Sequence, residues 1–252
     1  MSEQPKIELR GVVKSFGSNH VLRDVNFAVQ PGESLTIIGG SGSGKSVMLK
    51  CILGLMEVDA GQIFVDGKDV CTMNNAERDQ VRTKFGMLFQ GGALFDSLPV
   101  WRNVTFALTS GRSQRAAEMR KIALENLERV GLGEEVLDLR PNELSGGMQK
   151  RVALARAIAP RPEIIFFDEP TTGLDPIRTD VINRLIVELV RDLGITALTI
   201  THDMGSVEKI SDRVAMLYDG KIIWSGPVGE LRNSGDVHVD QFVMGHADGP
   251  IA

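Results

Sequence analysis

Gly39-Gly40-Ser41-Gly42-Ser43-Gly44-Lys45-Ser46 is the stretch that decides the fold. It fits G-x-x-x-x-G-K-[ST], the pattern of a loop that cradles phosphate. Phosphate oxygens carry dense negative charge and need many donors at once. Glycines let the backbone curl so that successive N–H groups point inward, with no Cβ in the way. Lys45 adds a full positive charge, and the Ser46 hydroxyl can ligate Mg²⁺. The setting agrees with the pattern. Ser34-Leu35-Thr36-Ile37-Ile38 before the loop reads as a buried strand. A helix over 45–53, stopped by Gly54, points its positive dipole end at the same anion. A Gly/Ser-rich linker would not sit between a buried strand and an apolar helix.

Upstream of the loop, residues 7–13 and 25–29 read as strands, the second alternating Val25, Phe27 and Val29. Downstream, Ile63-Phe64-Val65 runs into Asp66-Gly67, a tight-hairpin signal, so an antiparallel sheet is expected beside the loop. A polar helix over 74–84 and a strand over 85–89 ending at Gln90 come next. Residues 91–103 look irregular. An amphipathic helix over 115–130 places Met119, Ile122, Ala123, Leu127 and Val130 on one face, with Gly131 as C-cap. Leu144-Ser145-Gly146-Gly147 opens a helix over 148–159. Ile164-Ile165-Phe166-Phe167 is apolar on both faces, as a central parallel strand should be, and ends at Asp168-Glu169. A helix over 177–193 carries the stripe Val181, Leu185, Leu189. A strand over 197–201 ends at His202. A hairpin turns at Asp219-Gly220, and residues from 227 form a short helix and a tail.

The 252 residues, 42% of them hydrophobic, suffice for one large α/β domain. The net charge of −5 disfavours a nucleic-acid binder. No apolar run marks a signal peptide at residues 1–10, and none approaches the roughly 20 residues that span a bilayer. Cys51 and Cys71 lack metal spacing and read as reduced thiols of a cytoplasmic protein.

Four predicted parallel strands thus finish in polar groups: the phosphate loop, Gln90, Asp168-Glu169 and His202. Ligands of open α/β sheets bind at the carboxyl ends of the strands, so these groups are expected to meet one nucleotide. Phosphoryl transfer needs charge neutralisation, a metal and an oriented nucleophile. Lys45 and the loop amides supply the first. Ser46, Gln90 and, directly or through water, Asp168 can hold Mg²⁺. Glu169 is placed to polarise an attacking water, and His202 to hydrogen-bond the γ-phosphate or that water. Ser145-Gly146-Gly147 is a second helix start built like an anion site. It makes most sense facing a nucleotide held by another copy, in a two-fold sandwich with two shared sites.

Taken in order, Gly39 to Ser46, Gln90, Leu144-Ser145-Gly146-Gly147, Phe166-Phe167-Asp168-Glu169, Gly173-Leu174-Asp175 and Thr201-His202-Asp203 resemble the motifs of ABC-transporter ATPase subunits. The likeness covers nearly the whole chain. It implies a P-loop NTPase fold: an α/β RecA-like core with an antiparallel β-subdomain and an inserted helical subdomain at about 91–160. One ATP-binding domain would span 7–245, followed by a tail, 246–252. It also implies hydrolysis of ATP with Mg²⁺ in a head-to-tail homodimer. Nucleotide contacts would come from Phe16 stacked on adenine, Gly39, Gly40, Ser41, Gly42, Ser43, Gly44, Lys45, Ser46, Gln90, Ser145, Gly146, Gly147 and Asp175. Glu169 and His202 would be catalytic, and Ser46, Gln90 and Asp168 would face the metal. Met148 stands where the family usually has Gln, and Thr172-Gly173 replaces the commoner Ser-Ala.

Leu88-Phe89-Gln90-Gly91-Gly92-Ala93-Leu94-Phe95-Asp96-Ser97-Leu98 resembles the Mla-type ATPases that serve MCE-protein lipid transporters. That resemblance implies phospholipid movement between inner and outer membranes, from a peripheral seat on the cytoplasmic side of the inner membrane. It implies an integral membrane permease, a periplasmic MCE-domain subunit and a small STAS-domain protein as partners, and no nucleic acid. Leu94, Phe95, Leu98 and Trp101 are expected to include permease contacts. The apolar run 237–244, with Val239, Phe242 and Val243 on one face, is expected to bury as a short helix. The last residues, through Ala247-Asp248-Gly249-Pro250, are expected to reach a neighbour as an extended arm. The competing readings are the ATPase of a polar-solute importer and a soluble, non-transport ABC ATPase. The soluble class typically carries a long coiled-coil insertion or tandem domains, for which 252 residues leave no room. A GTPase lacks support, because no Asn-Lys-x-Asp follows the loop.

Overall fold

The structure, a computed structural model, describes residues 4–109 and 115–251. In chain order the elements are strands β1 (Ile7–Phe16), β2 (Asn19–Val29) and β3 (Ser34–Ile38), helix α1 (Lys45–Ile52), strands β4 (Ala60–Val65) and β5 (Lys68–Asp69), and helix α2 (Asn75–Arg82). Then come β6 (Phe85–Leu88), helices α3 (Val100–Val104), α4 (Phe106–Thr109), α5 (Ala116–Arg129) and α6 (Gly146–Ile158), strand β7 (Ile164–Asp168) and helix α7 (Pro176–Leu193). The chain closes with β8 (Thr196–Ile200), α8 (Met204–Ile210), β9 (Arg213–Tyr218), β10 (Lys221–Pro227) and α9 (Val237–Met244). These elements divide between two compact units: residues up to Arg82 with those from Thr196, and Thr83–Ile195.

The first unit holds an antiparallel sheet in the order β2-β1-β4-β5 and the strand run β10-β9-β3-β8. In that run β3 lies between β8 and β9, parallel to both, with Ile37 opposite Ile200 and Ala215. All five residues of β3 are buried, as expected of a strand covered on both faces. The amide of Arg23 donates to the Gly220 carbonyl at 2.8 Å and ties the two sheets together. β1 and β4 approach so closely at Gly61 that a Cβ there would lie 2.3 Å from the Gly11 carbonyl oxygen. β1 and β2 run further than their apolar alternation suggests. Their outer halves, Lys14-Ser15-Phe16 and Asn19-His20, are mostly polar but continue the ladder through register shifts.

In the second unit β6 and β7 pair in parallel, Leu88 opposite Phe167. The Phe85 and Phe166 rings meet edge to face at 5.1 Å. α6 sits directly on β6 at Gly86, where a Cβ would come within 2.5 Å of the Ala157 carbonyl oxygen. Two expectations are corrected here. The supposedly irregular 91–103 contains the start of α3, a helix too short for a periodicity to show. The buried stripe of α7 is Ile182, Ile186 and Leu189, whereas Val181 and Leu185 are only partly covered. Helix α7 is apolar over a wide arc, and its periodicity does not say which edge of that arc meets the core.

The apolar run 237–244 is α9, with Val239 fully buried against Ile38, Val207, Met216 and Leu231. Phe242 and Val243 pack partly on the same cluster. The tail does not extend away. The buried Gln241 side chain donates to the carbonyls of His246 (3.2 Å) and Ile251 (3.1 Å) and accepts from the Ile251 amide at 2.7 Å. Ile251 joins the apolar cluster, so residues 246–251 fold back on their own chain. Ala252 lies outside the described residues.

Candidate functional site

Each unit carries part of the set read from the motifs. In the first, β3 delivers the chain into the phosphate loop. Gly39, Gly42 and Gly44 have φ of 154°, 78° and 102°, in the region that L side chains avoid. A Cβ on Gly39 would stand 2.4 Å from the Leu217 carbonyl oxygen, so the loop is pressed onto β9 with no room for a side chain. Around Gly40 and Gly42 the space is open. Helix α1 starts at Gly44 without a side-chain cap. Its first amides are therefore left for an anion. The Lys45 ammonium donates to the carbonyls of Gly39 (2.6 Å) and Gly40 (2.9 Å), which folds it over the loop. Ser43 Oγ is buried and has no hydrogen-bond partner among the described residues. Buried hydroxyls are nearly always satisfied, so this one suits a phosphate oxygen.

Because β3 and β8 are parallel neighbours, the phosphate loop and His202 leave the same end of adjacent strands. His202 is exposed. The turn is fixed on either side: the Asp203 amide donates to Thr201 Oγ1 (3.1 Å), and Asp203 caps α8 through the Gly205 amide (3.1 Å). Phe16 is 48% exposed at the tip of the β1–β2 hairpin, so it fills no core. The Lys14 ammonium stands 5.7 Å from its ring and is held by Asp59 at 2.7 Å. The start of β2 abuts the loop: a Cβ on Gly44 would come within 3.0 Å of the Val21 and Leu22 side chains, closer than ordinary van der Waals contact.

In the second unit, Gln90 and Asp168-Glu169 leave the same end of the paired strands β6 and β7. Asp168 is the last residue of β7 and partly buried. Glu169 is 9% exposed and holds a φ of +48°, a conformation unusual outside glycine. Such local strain clusters at functional positions. The Thr172 hydroxyl donates to the Glu169 carboxylate at 3.1 Å, so the substituted Thr at this point orients the acid. Ser145 caps α6 by accepting the Met148 amide at 3.3 Å; Gly146 is open around its Cα. The Met148 replacement therefore leaves the amide donors of this helix start in place. Asp175 caps α7, accepting from the amides of Ile177 (3.1 Å) and Arg178 (3.0 Å). The Arg178 amide chiefly holds its carboxyl below the usual carboxylate range.

Three residues beyond the motif set shape this unit. Asn103 is fully buried; it accepts from the Phe95 amide (2.8 Å) and donates to the carbonyls of Phe95 (3.1 Å) and Leu98 (3.0 Å). It holds the 95–98 turn so that Phe95 is 42% exposed, stacked on the equally exposed Phe106 at 4.4 Å. Arg156 donates to the Gly92 and Ala93 carbonyls, both at 2.7 Å, and ties the stretch after Gln90 to α6. Lys150 is buried in α6. Burial pulls its ammonium below the usual lysine range, and the negative charges of Asp168 and Glu169 push it back up. Nothing in the local sequence sets it apart from Arg151 and Arg156 of the same helix.

The donors fit an Mg-nucleotide. The loop has open amides and an orphan hydroxyl for phosphate. The proposed metal donors Ser46, Gln90 and Asp168 are all hard oxygen ligands, which Mg²⁺ takes. Among the described residues no three His, Cys, Asp or Glu side chains gather as a metal cage. Mg²⁺ bound through phosphates needs only one or two protein ligands.

A parallel strand, a glycine loop of this geometry and an uncapped helix start define a P-loop nucleotide hydrolase. Comparison with known proteins narrows the class. Residues 22–172 match the ABC transporter family model. The chain is 40% identical to the intermembrane phospholipid transport system ATP-binding protein MlaF of Haemophilus influenzae, over 98% of this chain and 94% of that one. It is also 40% identical to the probable ribonucleotide transport ATP-binding protein mkl of Mycobacterium leprae, over 97% of this chain and 70% of the relative. Among solved structures, a dimeric ATP-binding cassette, MJ0796, bound to ADP and phosphate in a post-hydrolysis state, superposes with a TM-score of 0.80. It is 34% identical, covering 88% of this chain and 98% of that one. The chain belongs to the ABC transporter family and is an ATP-hydrolysing enzyme.

Proposed function

We propose that this ATPase drives phospholipid transport between the membranes of a two-membrane envelope. The observation that carries the reading is the end-to-end likeness to MlaF, 98% of one chain on 94% of the other. The mkl relatives are as similar but extend well beyond the match, which favours the lipid reading over transport of a polar solute. One domain, 7–245, would do this work, with its helices at about 91–160 facing an integral permease through Phe95 and its neighbours. Two copies would form the working dimer, seated on the cytoplasmic face of the inner membrane. A periplasmic MCE-domain subunit and a small STAS-domain protein would complete the assembly. Among the described residues no helix is long and apolar enough to cross a membrane, so the membrane path would belong to the permease.

At the site, Gly39 to Ser46 would wrap the phosphates of ATP, and Phe16 would stack on adenine. Lys45 would leave its loop carbonyls for the phosphate oxygens. Bound Mg²⁺, held by Ser46, Gln90 and Asp168, would supply charge neutralisation. Glu169 would take a proton from the water that attacks the γ-phosphorus, His202 would steady that water or phosphate, and ADP would leave. Ser145, Gly146, Gly147 and Asp175 would serve the nucleotide of the opposite copy.

Glu169→Gln keeps the shape but cannot act as a base. It should bind ATP, hydrolyse it at least about 100-fold more slowly, and accumulate as an ATP-bound dimer on size exclusion. The same variant, purified from membranes, should retain its partners, which mass spectrometry of proteins and lipids would identify. Full hydrolysis would count against Glu169. A permease complex with bound nucleoside or sugar and no phospholipid would count against the lipid reading.

A further inference from the structure

We propose that Lys150 is a positioning residue, an internal counter-charge that holds Asp168 and Glu169 in place while no metal or nucleotide is bound; this rests on the reading of those carboxylates given above. Lysine is almost never fully buried unless paired. Lys150 is 5% exposed, and its Nζ has no hydrogen bond among the described residues. An ammonium taken from water without such bonds is costly, and an attractive charge must offset it. The charges that act on it are Asp168 and Glu169, at the end of β7 in the same unit.

The carboxylates need a cation as much as the lysine needs an anion. They are consecutive in the chain, and Glu169 is buried on a left-handed backbone. Two adjacent carboxylates, one buried and one partly buried, repel one another. A fixed positive charge within the protein offsets that repulsion and keeps both aimed. It has a second effect: the same charge opposes a divalent cation arriving at Asp168. Lys150 therefore sets the metal concentration at which Asp168 is taken over. A lysine that merely filled space would do neither.

The test uses the full chain with Lys150→Met, Lys150→Arg and Glu169→Gln, singly, and with the Met and Gln changes combined. Thermal unfolding of metal-free, nucleotide-free protein gives a double-mutant cycle. Lys150→Met should lower the midpoint by roughly 5–10 °C in the native background and by less than half as much beside Glu169→Gln. Mg²⁺ titrated against a fluorescent ATP analogue should half-saturate at about tenfold lower concentration in Lys150→Met, because a repelling charge has gone. In turnover, kcat should fall about tenfold with KM for ATP within about twofold. Lys150→Arg should keep most of each native value. A midpoint that rises, that falls equally in both backgrounds, or an unchanged Mg²⁺ requirement overturns the proposal. If Lys150→Met alone does not fold, recovery of folded protein in the Lys150→Met, Glu169→Gln combination supports it, and failure to recover overturns it. Full hydrolysis by Glu169→Gln alone would remove the base role of Glu169 and leave the unfolding cycle to stand or fall by itself.

Discussion

Lys45 shows how one side chain belongs both to the fold and to the chemistry. Its ammonium closes the loop by bonding to Gly39 and Gly40. The loop's turn is also held by glycines at positive φ and by the Ser43 amide on the Gly40 carbonyl at 3.2 Å. Lys45→Ala should therefore keep its fold and lose its function. A charge-assisted contact is worth roughly 1.5–3 kcal/mol, or about 10–150-fold in ATP binding, and the loss in turnover should be larger. Circular dichroism with steady-state ATP hydrolysis decides it; near-native turnover would remove Lys45 from the mechanism. Residues such as Lys45, Asp168 and Glu169 were legible because their chemistry comes with a fixed spacing. Asn103, Arg156 and Lys150 were not. Their roles come from bonds to backbone, or from burial, made between residues separated by up to 64 positions, and no local pattern encodes that.

Among the elements, strands ending in functional groups were the most legible, because a run of apolar residues broken by a polar one marks both the strand and its end. β3, β7 and β8 were read to within a residue or so. Short helices were the least legible. α3 spans 5 residues and α8 spans 7, too few for an amphipathic period to stand out. The case of α7 lies between: the expected limits, 177–193, fall within a residue of the observed ones, but the expected rotation does not hold. The observed rotation makes a sharp comparison. Ile186 is 1% exposed, whereas Leu185 is partly exposed. Ile186→Ala should cost about 2–5 kcal/mol through a cavity that cannot collapse, and Leu185→Ala about 1 kcal/mol or less. Urea unfolding of the two variants checks this. Equal losses would mean that the wide apolar arc of α7 packs along both edges.

At the scale of the whole molecule, the family was legible in the sequence and the behaviour of the ends was not. The tail has few apolar residues, so it reads as an arm. It docks because one buried amide, Gln241, offers both a donor and an acceptor to the backbone at Ile251. Removing residues 246–252 should therefore lower the thermal midpoint by roughly 2–8 °C, through loss of about 1–2 kcal/mol of packing and hydrogen bonding. ATP binding, which uses other parts of the unit, should be unchanged. An unaltered midpoint would show that the docked tail adds nothing to stability. The two cysteines have a different use. Cys51 is buried, and burial pushes its thiol up to about 11; Cys71, half-buried, is raised by the same cause. Both therefore carry less thiolate near neutral pH than an exposed cysteine does, and thiolates are what maleimides attack. The native chain is thus expected to label more slowly at its own cysteines than at exposed ones. Fluorophores placed at Ser18→Cys and Glu188→Cys, both exposed, would then be distinguished from the natural thiols by their faster labelling.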